Sequence, residues 1–121
     1  MKESDLKLAV SQYLEYGTNQ GRWYADRLNS GAIYEKRGDK TYGVMLCREG
    51  TADFMVIKGR LFMEDGRRFG RPLVIFLELK GDKGKQSPEQ KAFQKLVENQ
   101  GASYFIIRSV EEVQNILEGG L

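Results

Sequence analysis

Asp53, Glu78 and Lys80 are the residues whose types and spacing could do chemistry in this chain. Glu78 and Lys80 close the stretch Leu73-Val-Ile-Phe-Leu-Glu-Leu-Lys80, whose first five residues are apolar with no helical period and which is followed by Gly81. That is the pattern of a central strand covered on both faces. Strand side chains alternate, so Glu78 and Lys80 share a face with Val74 and Phe76. A carboxylate and an ammonium thus emerge together where a buried strand ends, and burying either one unpaired is costly. An ion pair at a strand end is the simpler reading of these two residues. Asp53 adds a second carboxylate, at the entrance to the apolar stretch Phe54–Ile57 after Gly50. On neighbouring strands Asp53 and Glu78 converge at one sheet end, where they repel unless a divalent cation neutralises them. Hard oxygen ligands with water in the remaining positions suit Mg²⁺ or Mn²⁺. Lys80 beside such a cation could help deprotonate an attacking water and stabilise developing phosphate charge. Lys83 and Lys85, and the helix start at Ser87, offer positive potential to a phosphate backbone.

Composition narrows the chemistry further. The chain has no histidine, which removes Ser-His-Asp and Cys-His catalysis, histidine general bases and most zinc sites. Acid–base work falls to carboxylates, lysine, tyrosine or water on a metal. The one cysteine, Cys47, has no partner for an internal disulfide and lies in an apolar stretch, which suggests core packing. With 121 residues the chain is expected to form one domain, residues 1–121. A net charge of +2 excludes a global basic field, so any nucleic-acid face must be local. Neither an apolar run of membrane-spanning length nor a charged-then-apolar leader is visible, so a cytoplasmic protein (bacterial or viral-host) is expected, with no membrane partner.

The elements that must position these residues can be read in order. Residues 3–16 are expected to be helical, with Leu6, Val10, Tyr13 and Leu14 on one stripe and Gly17 as C-cap. Glu3 lies on the inward side; a first-turn glutamate complementing the helix dipole accounts for it simply. Arg22–Leu28 alternates as a strand, Asn29-Ser30-Gly31 is a turn, and Ala32–Glu35 is expected to extend the sheet. Lys36–Lys40 is expected as an exposed loop with three positive charges, and Tyr42–Cys47 as a second apolar run. Glu64–Pro72 is expected as a polar turn in a hairpin-like connection between strands near 53–63 and 73–80. Ser87-Pro88-Glu89-Gln90 starts a helix with a capping box, and that helix ends at Gly101. A buried strand over Ser103–Arg108 and a short helix from Ser109 finish the order, with Gly119-Gly120 at its end. The strand–helix–strand from 73 to 108 predicts a parallel crossover.

Gly50-Thr51-Ala52-Asp53, then Glu78-Leu79-Lys80, then Ser87-Pro88-Glu89-Gln90 resemble the PD-(D/E)xK nuclease superfamily, and within it the virus-type replication-repair nuclease (VRR-NUC) domain. Glu-x-Lys alone recurs by chance; the ordered set in strand, strand and helix context is more specific. The likeness spans nearly the whole chain and departs at Ala52, where the superfamily has proline at a position that supplies no ligand. It implies an α/β fold with a restriction-endonuclease-like core, a central mixed sheet flanked by helices. It implies Mg²⁺ or Mn²⁺ held by Asp53, Glu78 and the Leu79 carbonyl, with Glu3 matching the first-helix glutamate of many members. Lys80 would be the catalytic lysine, and Gln90 would position water or the scissile phosphate unless it serves only as capping partner. Arg27, Asn29 and Ser30 would contact DNA together with Lys83 and Lys85, although Asn29 and Ser30 also suit a plain turn.

The resulting expectation is a metal-dependent DNA endonuclease, structure-selective on branched DNA such as Holliday junctions or flaps, working as a homodimer without a small-molecule cofactor. A nucleic-acid-binding module with a silent nuclease fold is the alternative; retention of a repulsive carboxylate pair argues against it. A phosphate-binding P-loop is excluded, because Gly81 and Gly84 are three apart and Gln86 follows Lys85 where the pattern needs Ser or Thr.

Overall fold

The computed structural model describes residues 1–59, 61–64 and 67–119. The described chain is a mixed α/β arrangement with a four-stranded mixed sheet. Its order is α1 (Glu3–Asn19), β1 (Tyr24–Arg27), β2 (Ala32–Arg37), β3 (Lys40–Met45), β4 (Phe54–Lys58), β5 (Leu61–Glu64), β6 (Arg67–Gly70), β7 (Leu73–Leu79), α2 (Pro88–Asn99), β8 (Ser103–Ile107) and α3 (Val110–Glu118). The main sheet runs β1-β4-β7-β8. Its first three strands pair antiparallel and β8 joins β7 in parallel, as the strand–helix–strand spacing requires. No helix among the described residues is long and apolar enough to cross a membrane.

β7 is buried on both sides, as its unbroken apolar run implies. Ile75, Leu77 and Leu79 pack against Leu6, Val10 and Leu14 of α1 and Val113 and Leu117 of α3. On the opposite face Phe76 joins Phe93 and Val97 of α2 together with Ala52 and Tyr104. The ring of Phe76 meets that of Phe93 edge-on at 5.2 Å. α2 opens with the expected capping box: Ser87 Oγ accepts from the Gln90 N–H and Gln90 Oε1 accepts from the Ser87 N–H. Ser109 caps α3 in the same way through the Glu112 N–H.

Several expectations are corrected. α1 does not end at Gly17; it continues to Asn19, and Gly17 is buried inside it. The glycine is there for space. The Trp23 indole lies against it, so that any Cβ at Gly17 would run into the ring, and Trp23 Nε1 donates to the Leu14 carbonyl at 2.9 Å. The Arg22–Leu28 strand is shorter than expected, because Trp23 turns inward to meet α1. β2 does not extend the main sheet, and the run Tyr42–Cys47 is not core. β2 and β3 pair only with each other, and every residue from Ile33 to Leu46 is exposed. The basic segment Lys36–Lys40 is the tip of that hairpin rather than a free loop. Cys47 is half-buried at the hairpin base, where its N–H donates to the Asn29 carbonyl. The polar connection before β7 contains its own pairing of β5 with β6. Asp65 and Gly66 of that connection, and Gly120 at the expected end of the fold, lie outside the described residues.

The Gly17–Trp23 contact gives a test whose sign is unusual. Alanine in a helix interior ordinarily stabilises by about 1 kcal/mol relative to glycine. Here Gly17→Ala is expected to destabilise by about 1–3 kcal/mol, the range for overpacking a closed site. Urea unfolding followed by Trp23 fluorescence measures it; a midpoint equal to or above wild type would contradict the packing.

Candidate active site

Asp53 and Glu78 meet because of strand register. β4 and β7 pair antiparallel with Phe54 opposite Leu77, so one step further along the ladder sets Asp53 opposite Glu78. The loop before Asp53 is held from both sides. Gly50, at φ 89°, lies so close to the Glu89 carbonyl of α2 that a Cβ would collide with it. Ala52 is fully buried among Phe93 and Tyr104. On the other side the Leu28 N–H donates to the Asp53 carbonyl at 2.8 Å. The Asp53 carboxylate reaches across the strand end, where its Oδ2 accepts the Leu79 N–H at 2.7 Å.

Glu78 is the one charged residue in the buried core of the described chain, at 3% exposure. Its Oε1 accepts from Gln90 Nε2 at 3.0 Å and lies 3.7 Å from Lys80 Nζ. Its Oε2 is buried without a hydrogen-bond partner among the described residues. Burial pushes the Glu78 carboxyl up from 4.5 to about 8; the neighbouring Asp53 charge pushes the same way, and Lys80 opposes it. Gln90 is the capping partner and also binds Glu78. Its Oε1 completes the helix cap while its Nε2 holds Glu78, so the amide fixes the carboxylate to the start of α2.

Lys7, which was not among the expected site residues, completes the cluster. Its Nζ lies 3.4 Å from Asp53 Oδ1 and 3.5 Å from Glu3 Oε2. The carboxylate pair therefore has two ammonium neighbours, Lys7 on Asp53 and Lys80 on Glu78, so a divalent cation is not the sole means of neutralising it. Glu3 stands near Asp53 through Lys7 and is 43% exposed. Among the described residues no three carboxylate, cysteine or histidine side chains converge as a ready-made metal cage. The available signal for Lys7 was its i,i+4 spacing from Glu3, which places both on one helix face.

The other expected residues gather at the same sheet end. Lys83 and Lys85 are exposed on the loop that follows β7. That loop is pinned by Arg108, whose guanidinium donates to the Gly81 carbonyl at 2.6 Å and the Gly84 carbonyl at 2.9 Å. Nothing in the sequence pattern marked Arg108 for this. Arg27 is exposed at the end of β1, and Asn29 and Ser30 follow it on the surface. The backbone of these two is structural: Asn29 accepts from the Cys47 N–H, and Ser30 bridges to Cys47.

The donor set suits a hard divalent cation in its chemistry. Glu78 Oε2 is an unsatisfied buried oxygen beside a second carboxylate, and that is the kind of atom a cation would satisfy. No protein-family model matches the chain, and no curated protein matches it.

The raised pKa has a thermodynamic consequence. Between about pH 4.5 and about 8 the folded protein keeps a proton on Glu78 that the unfolded chain has lost. The native state then binds more protons than the unfolded one, so stability falls as pH rises through that window, by at most about 1.4 kcal/mol per unit. Glu78→Gln keeps the shape and the Gln90 contact without the titration. In chelator, the difference in melting temperature between variant and wild type is expected to grow in the variant's favour from pH 5 to pH 8. Parallel pH profiles for the two proteins would contradict it.

Proposed function

We propose that this chain is a metal-dependent DNA endonuclease of the VRR-NUC type, with the restriction-endonuclease-like core of the PD-(D/E)xK superfamily. In this reading residues 1–121 form one nuclease domain that acts in the cytoplasm as a homodimer on branched DNA such as Holliday junctions or flaps. The observation that carries it is the convergence of Asp53, Glu78 and Lys80 at the carboxyl end of β7, with a buried Glu78 oxygen left unsatisfied. A polar atom that a fold buries without satisfying it is costly, and strongly perturbed groups cluster at sites of function.

Asp53, Glu78 and the Leu79 carbonyl would hold Mg²⁺ or Mn²⁺. A cation bound there supplies a hydroxide nucleophile at neutral pH and neutralises phosphate charge. The chain's own groups do the rest. Lys80, whose side chain is 11% exposed, carries a fixed positive charge to the rim of the site, where it meets the charge that develops on a phosphate oxygen. Gln90 keeps the Glu78 carboxylate from rotating, because the amide is itself tied into the helix cap. Lys7 holds the Asp53 carboxylate in place through its ammonium group. Lys83, Lys85, Arg27, Asn29 and Ser30 ring the same sheet end and would meet the phosphate backbone.

A second reading, a nucleic-acid-binding module with a silent nuclease fold, draws on Lys7 and Lys80: two ammonium groups already balance the two carboxylates. One experiment separates them. Purified protein is incubated with labelled linear and branched DNAs in Mn²⁺, Mg²⁺ or EDTA. Cleavage is expected with either metal and none in EDTA, and Lys80→Ala is expected to lower turnover by about 100-fold or more while leaving DNA affinity in place. Binding without cleavage under every condition would favour the silent module. Cleavage that persists in EDTA, or a Lys80→Ala rate within about threefold of wild type, would overturn the mechanism.

A further inference from the structure

We propose that the β2–β3 hairpin is a DNA-binding arm, which grips double-stranded DNA beside the Asp53–Glu78 centre; the inference rests on the nuclease reading and adds a binding surface to it. The hairpin leaves the body of the protein at the sheet end that carries the site. Its base is laced by three backbone bonds, Cys47 N–H to the Asn29 carbonyl, Leu46 N–H to the Gly31 carbonyl, and Leu28 N–H to the carbonyl of Asp53 itself. The last bond ties the arm's root to a residue of the site, so an object held by the arm is held in register with it.

Beyond that base the arm has no neighbour in the described chain. All residues from Ile33 to Leu46 are exposed, including Tyr34 at 74% and Met45 at 65%. A two-stranded ribbon is marginal by itself in water and gains from a surface laid against it. Its side chains say which surface. One face presents the pairs Ile33–Val44, Glu35–Tyr42 and Arg37–Lys40, and the other Ala32–Met45, Tyr34–Gly43 and Lys36–Thr41. Arg37 lies over the Tyr42 ring at 5.6 Å and 3.0 Å from Glu35, which leaves an organised guanidinium–aromatic pair near the tip. The tip segment Lys36–Lys40 holds three cations against one carboxylate, Asp39.

A second protein chain seated along the arm would have to meet Lys36 and Lys40 with carboxylates of its own, Arg37 being already paired with Glu35. Phosphates provide that charge at regular spacing, with counter-ion release as the driving force. Exposed Tyr34 and Tyr42 among those cations add the stacking and cation–π surfaces that nucleic acid uses. The dimensions also match: six residues per strand extend roughly 20 Å, and a two-stranded ribbon enters a major groove about 12 Å wide.

The test is fluorescence anisotropy of a labelled duplex in EDTA across a salt series, with sedimentation velocity on the same proteins. Wild type is compared with the triple variant Lys36→Ala/Arg37→Ala/Lys40→Ala and with Tyr34→Ala/Tyr42→Ala, each checked by thermal melting. The arm packs on nothing, so both variants are expected to melt near the wild-type temperature. The triple variant is expected to bind about tenfold or more weakly, with a log–log salt slope shallower by about two to three. The tyrosine variant is expected to lose affinity with its salt slope unchanged. If wild type binds duplex and both variants bind it with unaltered affinity and slope, the arm is overturned and the nuclease reading stands. If the variants alter only the sedimentation coefficient, from dimer to monomer, the arm serves a second copy and the inference is overturned. If wild type binds no duplex at any salt, the arm is overturned, and the nuclease reading is decided separately by cleavage of branched DNA.

Discussion

Glu78 inside the core is the constraint on which the rest depends. Its strand is apolar on both sides, and one residue before the strand ends the fold accepts a carboxyl group at 3% exposure. A carboxylate there is tolerable only because its surroundings are built for it. Gln90 donates from the cap of α2, Lys80 stands 3.7 Å away, and the sheet register sets Asp53 opposite. Each support has a second tie into the fold: Gln90 through Ser87, Asp53 through the Leu79 and Leu28 amides, and the loop after Lys80 through Arg108. These supports leave one oxygen of Glu78 unsatisfied and its carboxyl protonated well above the usual range. The proposed cation site would account for that cost.

Where the sequence spoke through periodicity, it was legible. The double-sided burial of β7, the shared face of Glu78 with Phe76, the capping box at Ser87, the Ser109 cap, and the parallel crossover to β8 followed from alternation and helix-start chemistry. The convergence of Asp53 with Glu78 followed as well, because an acidic residue at a strand entrance and another at a strand exit can meet only across an antiparallel pair. Gly17 misled because a glycine near a helix end suits a C-cap as well as it suits an aromatic neighbour; only the tertiary contact with Trp23 decides between them. Lys7 was missed because a long side chain at the edge of the buried stripe can turn to either side, and Asp53 draws it inward. Arg108 was illegible because its targets are backbone carbonyls of a distant loop, which leave no mark in residue types.

The stretch Tyr42–Cys47 shows the limit of hydrophobicity as a guide to burial. Tyr42, Val44, Met45 and Leu46 form an apolar run, yet all four are exposed on the hairpin that stands off the sheet. An apolar stretch records that a residue wants cover and leaves open whether the cover is the chain's own core or something bound to it. Here the register of β2 with β3 sends the same residues to both faces of a ribbon, so no single layer of this chain could bury them all. The main sheet and the hairpin thus solve the same problem differently. The sheet covers its apolar faces with α1, α3 and α2, and the hairpin leaves its own exposed.

The claim at the centre, that Asp53 and Glu78 form a cation site, is tested most directly by titrating Mn²⁺ into the protein by calorimetry near neutral pH in buffers of different ionisation enthalpy. Metal ligands must be deprotonated to bind, so a cation entering this site has to displace the Glu78 proton. The expected result is a bound Mn²⁺ whose apparent heat changes with the buffer, showing proton release on binding. Asp53→Asn is expected to weaken binding, and Glu78→Gln to abolish the buffer dependence. Absence of Mn²⁺ binding, or binding that neither substitution changes, would contradict the assignment of this carboxylate pair as the metal site.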